Sequence, residues 1–325
     1  VATILLTLIS IGMGVGSVLC NKISKGTLKM GIVPFGALGL SIFAGLLSSV
    51  EGPTAGLDSQ FFGPIELLNN GTLIWPLLYL LMIGVSGGLF IVPLYTLLQT
   101  SCADSIRSQI IASNNIVNAL FMVSAAIFAM IMFSIGFKIS QIFLVVGALN
   151  LFACIFFLYN YPRDFYLFLF TVLANIIYKL EVTAEKPLPE KGPTIIAANH
   201  ISFIDPFIIT AGMNRPPIFV MDYIYYKMKI LKWFFDSSAS IPITPSKICE
   251  DSLNIAMNKI IEQLQNGEMV AMFPEAYITR TGEIIPFKNG IERIAQQVPN
   301  LKVIPVAICG MWGSWFSRYG GKAMP

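Results

Sequence analysis

The sequence predicts a polytopic α-helical membrane domain of about five spans over residues 1–161, followed by an α/β domain over residues 162–325. Three observations carry that division. Hydrophobic residues make up 55% of the 325-residue chain and charged residues only 12%, against roughly half and a quarter in soluble domains. The first half breaks into long apolar runs with few charges. From Pro162 onward, prolines, charges and short apolar runs take over. The formal net charge of +3 is too small to point to nucleic acid as a partner.

Apolar segments lie near 1–21, 29–50, 73–99, 109–136 and 140–160, each close to the roughly 20 residues that cross a bilayer as a helix. Basic residues orient them. The first connection holds Lys22, Lys25 and Lys29, the third holds Arg107, and Arg163 follows the fifth segment. The second connection has Glu51, Asp58 and Glu66 but no Lys or Arg, and Lys138 in the fourth is the exception. The positive-inside rule then places the first and third connections, and everything after residue 161, in the cytoplasm. The first span is entered from outside, and the chain begins at Val1 without a basic leader. The expectation is a fragment whose earlier spans are absent.

Small residues in "GMGVGSVLCNKISKG" (Gly12 to Gly26) and "IGVSGGLFIVPLY" (Ile83 to Tyr95) allow close helix approach, and Pro93 is a candidate kink. Asn114, Asn115 and Asn118 are costly in a span unless they face water or bond a neighbouring helix, and both readings stay open. The first connection "CNKISKGTLKMGIVPFGALGLS" and the "RSQIIASNNIVNALFM" stretch resemble the C-terminal half of a major facilitator transporter of the lysophospholipid type. That resemblance implies a partial major facilitator fold, about half of the membrane domain of such a protein.

"RDFYLFLFTVLANIIYKLEV" (Arg163 to Val182) is aromatic and apolar with basic ends. It is short for a sixth span and reads as an amphipathic or re-entrant helix at the interface. Strands are expected at "GPTIIAANH", "IFVMD", "SIPIT", "EMVAMFPE" and "KVIPVAI", and helices at "FIDPFIITAG" and Cys249 to Gly267. Leu253, Ala256, Met257, Ile260, Ile261 and Leu264 recur at helical spacing in the latter, with Gly267 as its stop. Strands alternating with helices define a layered α/β domain.

His200 is the only histidine of the chain. It follows a strand, and Asp205 lies five residues on, at the start of the next helix. A lone histidine is commonly structural. Imidazole is also the side chain most readily poised as a base near neutral pH, and a carboxylate on its other nitrogen fixes the tautomer. No Gly-x-Ser-x-Gly elbow supplies a nucleophile, and Ser202 reads as a capping or turn residue. His200 is therefore expected to activate a substrate hydroxyl.

Four blocks in order carry a second resemblance. "NHISFID" (Asn199 to Asp205), "IPIT" (Ile241 to Thr244), "FPEAYITRTG" (Phe273 to Gly282) and "VIPVAI" (Val303 to Ile308) resemble the motifs of the 1-acylglycerol-3-phosphate type of glycerolipid acyltransferase. "ITRTGEIIPFKNGIERIA" is most similar to the branch fused to lysophospholipid transporters, of the 2-acylglycerophosphoethanolamine acyltransferase kind. The resemblance implies His200 as general base, Asp205 as its orienting partner, and Asn199 and Glu275 in substrate binding. It implies direct attack of a lysophospholipid hydroxyl on an acyl thioester, with acyl-CoA or acyl-acyl carrier protein as co-substrate.

The third block departs from the family pattern. Ala276 stands where the family has Gly, and Tyr277 or Ile278 where it has Arg. Neither replaces a guanidinium as a bidentate phosphate ligand. Arg280, Lys247 and Lys288 are the candidate substitutes, with solvated surface charge as the alternative reading. Ala276 crowds a backbone that Gly would open, more so if φ is positive there.

"MDYIYYKMKILKWFFD" (Met221 to Asp236) mixes Lys227, Lys229 and Lys232 with aromatics; it docks on anionic lipid, lines an acyl channel, or is an ordinary helix. The five cysteines lack Cys-x-x-Cys spacing, so neither a zinc site nor a disulfide framework is supported. With no phosphate-binding loop or dinucleotide fingerprint, no metal and no nucleotide cofactor are inferred. The expected whole is an inner-membrane protein whose partners are membrane lipid and lysophospholipid and whose α/β domain faces the cytoplasm. The alternative is a transporter carrying a catalytically degenerate, lipid-binding module.

Overall fold

The computed structural model describes residues 2–24, 30–50, 74–184, 188–244 and 250–321. The chain divides into two compact units, Val1–Tyr161 and Pro162–Pro325. The acidic second connection, Lys25, Lys29, Lys247 and Cys249 lie outside the described residues.

The first unit is helical: α1 (Ala2–Ser24), α2 (Val33–Ser48), α3 (Ile74–Thr100), α4 (Arg107–Ser134) and α5 (Ile139–Asn160). By length and composition all five, the second counted from Met30, are long and apolar enough to cross a membrane. Glycines set the α1–α3 approach. A Cβ on Gly12 would run into the Leu81 carbonyl, one on Gly16 into that of Val85, and one on Gly84 into that of Ile9. The two backbones touch because no side chain stands between them. α3 continues through Pro93 to Thr100. Asn150 Nδ2 in α5 donates to Ala37 O at 2.6 Å and Ser41 Oγ at 3.0 Å in α2. Asn114 and Asn118 both donate to Tyr95 Oη, at 3.1 and 2.9 Å. Their amides are thus used in interhelical bonding, the packing reading of the two.

The second unit is a five-stranded sheet with helices on both faces. In chain order it contains α6 (Pro162–Ile177), β1 (Thr194–Ala198), α7 (Asp205–Gly212), β2 (Ile218–Asp222), α8 (Tyr223–Tyr226) and α9 (Lys229–Ser237). After these come β3 (Ile241–Ile243), α10 (Glu250–Gln265), β4 (Met269–Met272), α11 (Gly290–Ala295) and β5 (Lys302–Val306). The strand order is β3-β2-β4-β1-β5, and every pairing is parallel. Alternation sorts the side chains onto two faces. Ile195 and Val270 pack with Ile260, Leu264 and Ile294 beneath α10 and α11. Ile196, Ala198 and Ala271 pack with Ile208 and Ile209 of α7 on the other face. Each fully buried Ile or Leu contributes about 1.5–3 kcal/mol by leaving water.

Two stretches differ from a single long helix. α6 ends at Ile177, not near Val182. It buries Tyr166, Leu167, Phe168 and Ala174 and leaves Ile176 and Ile177 exposed. Phe170 meets Phe207 of α7 at 4.4 Å between centroids, and Tyr166 meets Phe234 of α9 at 4.5 Å. One face of α6 is therefore tied into this unit by aromatic contacts. The 221–236 stretch is not one helix: Asp222 ends β2 and its carboxylate caps α8 by accepting from Ile224 N at 2.9 Å. A break at Met228 separates α8 from α9.

Candidate active site

In a parallel sheet all strands end on one edge, where ligands are generally bound. β1 and β4 are neighbours, with Ala197 opposite Met272. Their following loops therefore meet, which brings His200 against Phe273 with ring centroids 3.9 Å apart and planes 13° apart.

The turn from β1 into α7 explains the five-residue spacing. Asp205 is fully buried in the first turn of α7. Its Oδ2 accepts from Ile201 N at 2.6 Å and Ser202 N at 2.8 Å, and lies 2.9 Å from His200 Nδ1. An ionised carboxylate only accepts, so Nδ1 carries the proton and Nε2 is left with its lone pair. The His200 side chain is 17% exposed. Ser202 is buried and its hydroxyl accepts from Ile204 N at 3.5 Å, so it is a turn residue.

Glu275 sits differently from its expected place at a ligand. It is 1% exposed. Its Oε1 accepts from His200 N and its Oε2 from Ile285 N, each at 3.0 Å. A carboxylate closed off in this way binds two loops together. Asn199 is also turned to backbone: it donates to Ile308 O at 3.1 Å and accepts from Ile308 N at 2.7 Å. That exchange clamps the end of β1 to the chain after β5.

Thr279 N donates to His200 O at 2.9 Å, tying the Phe273–Gly282 loop to His200 a second time. Within that loop Ala276 has φ +63°, the left-handed region that suits Gly. Tyr277 is 60% exposed and Ile278 buried. Arg280 and Lys288 are exposed, and Lys247 lies outside the described residues. Among the described residues no group of His, Cys, Asp and Glu is placed to hold a metal ion.

The loop after β5 completes the edge. Phe203 N donates to Phe316 O at 3.2 Å, Ser202 and Ser317 form an isolated antiparallel bridge, and Trp312 lies over Gly282, where a Cβ would stand 2.8 Å from its ring. Arg318 lies with its guanidinium carbon 5.6 Å from the centre of the Phe203 ring. Sequence motifs passed over this loop; its "GMWGSW" composition was the one signal of a tight, aromatic turn.

Residues 179–309 match the Acyltransferase family model. The span includes His200, Asp205 and Glu275. Curated relatives include a chloroplastic 1-acyl-sn-glycerol-3-phosphate acyltransferase of Brassica napus, 23% identical over 171 residues, 51% of this chain and 46% of that protein. One of Arabidopsis thaliana is 24% identical over 170 residues, 51% of this chain and 44% of that protein. One of Borreliella burgdorferi is 25% identical over 130 residues, 40% of this chain and 51% of that protein. The chain thus spans about half the length of each relative. The crystal structure of the 1-acyl-sn-glycerophosphate acyltransferase from Thermotoga maritima aligns with a TM-score of 0.38 at 22% identity, over 48% of this chain and 64% of that one. None of these matches extends the likeness to a major facilitator transporter.

Proposed function

We propose that the second unit transfers an acyl chain from acyl-CoA or acyl-acyl carrier protein to the free hydroxyl of a lysophospholipid. The observation that carries the reading is the His200 Nδ1 to Asp205 Oδ2 contact of 2.9 Å on a histidine side chain that is 17% exposed. Nε2 takes the proton of the acceptor hydroxyl as its oxygen attacks the thioester carbonyl. Asp205 stays ionised and stabilises the imidazolium. The tetrahedral intermediate collapses, the C–S bond breaks, and the departing thiolate takes the proton from His200 Nε2 to leave as the thiol, which returns the imidazole to its neutral form. The ester C–O bond is the one formed, and no acyl-enzyme is required.

The finer reading joins this reaction to membrane transport. Five spanning-length helices and the resemblance of their connections support a partial lysophospholipid transporter. Its substrate would be presented to the second unit at the cytoplasmic face of the inner membrane. Lysolipid flipping in vesicles that equals the protein-free rate would leave the helices as an anchor.

Ala276 and Tyr277 favour a second reading, a lipid-binding module without turnover. Labelled acyl-CoA and acyl carrier protein, offered with a panel of lysophospholipids, separate the two. Transfer abolished by His200→Ala supports catalysis. Absence of transfer with every donor, from folded protein, supports the binding module.

A further inference from the structure

Arg318 differs from every other arginine at this edge of the sheet. Arg280 is exposed and keeps its hydration. The Nε of Arg318 is shut off from solvent and has no hydrogen-bond partner, and its guanidinium carbon lies 5.6 Å from the centre of the ring of Phe203, three residues from His200. Among the described residues it has no carboxylate partner. The Ser202–Ser317 bridge, the Phe203 N to Phe316 O bond and Trp312 over Gly282 fix its loop to both motif loops.

A guanidinium partly withdrawn from water and left without a counter-charge is a receptor for an anion. Cation–π attraction to a ring uses none of the guanidinium N–H donors, and phosphate oxygens are the acceptors that such a planar fork matches. The loop where the family pattern puts its arginine has Tyr277 and Ile278 instead, one on the surface and one buried.

We propose that Arg318 binds the phosphate of the acyl acceptor, supplying from the loop after β5 the guanidinium that the Phe273–Gly282 loop lacks. The inference rests on reading the second unit as a lysophospholipid acyltransferase. The same chemistry occurs in the phosphates of the thioester donor, so the two sources are tested apart.

The full chain in nanodiscs, carrying His200→Ala to prevent turnover, is titrated with 1-acylglycerol 3-phosphate, with uncharged monoacylglycerol and with coenzyme A. Arg318→Gln is expected to weaken the phosphorylated lysolipid roughly 10- to 100-fold, as loss of a charge-assisted pair does. Arg318→Lys is expected to weaken it less. Monoacylglycerol and coenzyme A are expected to bind unchanged. Equal lysolipid affinity with Gln at 318 overturns the proposal. So does a loss shared by monoacylglycerol, which signals a collapsed loop, or one confined to coenzyme A. Arg318-dependent lysolipid binding in a chain whose wild type transfers no acyl group removes the enzymatic reading and supports this site.

Discussion

His200 Nδ1 stands 2.9 Å from Asp205 Oδ2, and the same oxygen accepts the backbone N–H groups of Ile201 and Ser202. One buried carboxylate therefore sets both the tautomer of the imidazole and the curl of the loop that carries it. Asp205→Asn still offers an oxygen to that loop but no longer holds an imidazolium. Its kcat is expected to fall roughly 10²- to 10⁴-fold with little change in KM. Asp205→Ala adds an unfolding penalty of about 1–3 kcal/mol for each orphaned N–H. Steady-state kinetics beside thermal melts check both. An Asp205→Asn loss appearing only in KM would remove the carboxylate from the chemistry.

Glu275 makes the opposite kind of contribution. Both its oxygens accept backbone N–H groups, from His200 and Ile285. Glutamine at this position keeps one acceptor and presents an NH₂ group to the other donor. Glu275→Gln is expected to destabilise the second unit by about 1–3 kcal/mol and to lower kcat by misplacing His200. A rise in acceptor KM at constant kcat would return Glu275 to the ligand contact that the motif alone suggests.

Much of this was legible in the sequence for identifiable reasons. The apolar periods locate β1, β4 and α10, because both sheet faces are covered and the runs are continuous. The His200–Asp205 spacing is readable as chemistry because few turns join a strand to a helix so tightly. Other roles are not encoded in residue type. Asn199 and Glu275 are polar motif residues, and nothing local says that their partners are backbone groups 109 and 75 positions away. The start of α8 turns on the Asp222 cap, and its separation from α9 turns on the extended backbone of Met228. Arg318 acquires meaning only through Phe203, which is far from it in the chain.

Ala276 adopts φ +63°, a conformation costing an L-residue about 1–2 kcal/mol. Glycine removes that strain and returns about 0.4–1 kcal/mol to the unfolded chain. Ala276→Gly is thus expected to leave stability between that of wild type and about 1.6 kcal/mol above it. Ala276→Val, with a branched Cβ, is expected to destabilise by more than about 1 kcal/mol. Urea midpoints order the three proteins. A valine variant as stable as wild type would show that the 273–276 turn is not held left-handed.

Glu268, just ahead of β4, pairs with Arg163 at 3.2 and 2.8 Å through its two oxygens. Arg163 also donates to Pro216 O at 2.8 Å. The hydrogen bonds from Arg163 hold the Glu268 carboxyl below its ordinary value of 4.5, outweighing the burial that pushes it up. A carboxyl lowered on folding stabilises above its unfolded value and loses that stabilisation as pH falls through the folded one. The pair is about a third exposed at Glu268, so solvent screening limits its contribution to about 1 kcal/mol or less. Glu268→Gln is therefore expected to weaken the second unit at pH 7, with the deficit shrinking as pH falls below 4.5. Hydrogen exchange of the β1 and β4 amides, corrected for intrinsic rate, reads this unit apart from the membrane helices. Arg163→Gln is expected to follow the same pH trend, because it removes the donor that lowers the carboxyl. A deficit that grows on acidification in either variant would mean that the pair is not what ties Glu268 to Arg163 in the folded unit.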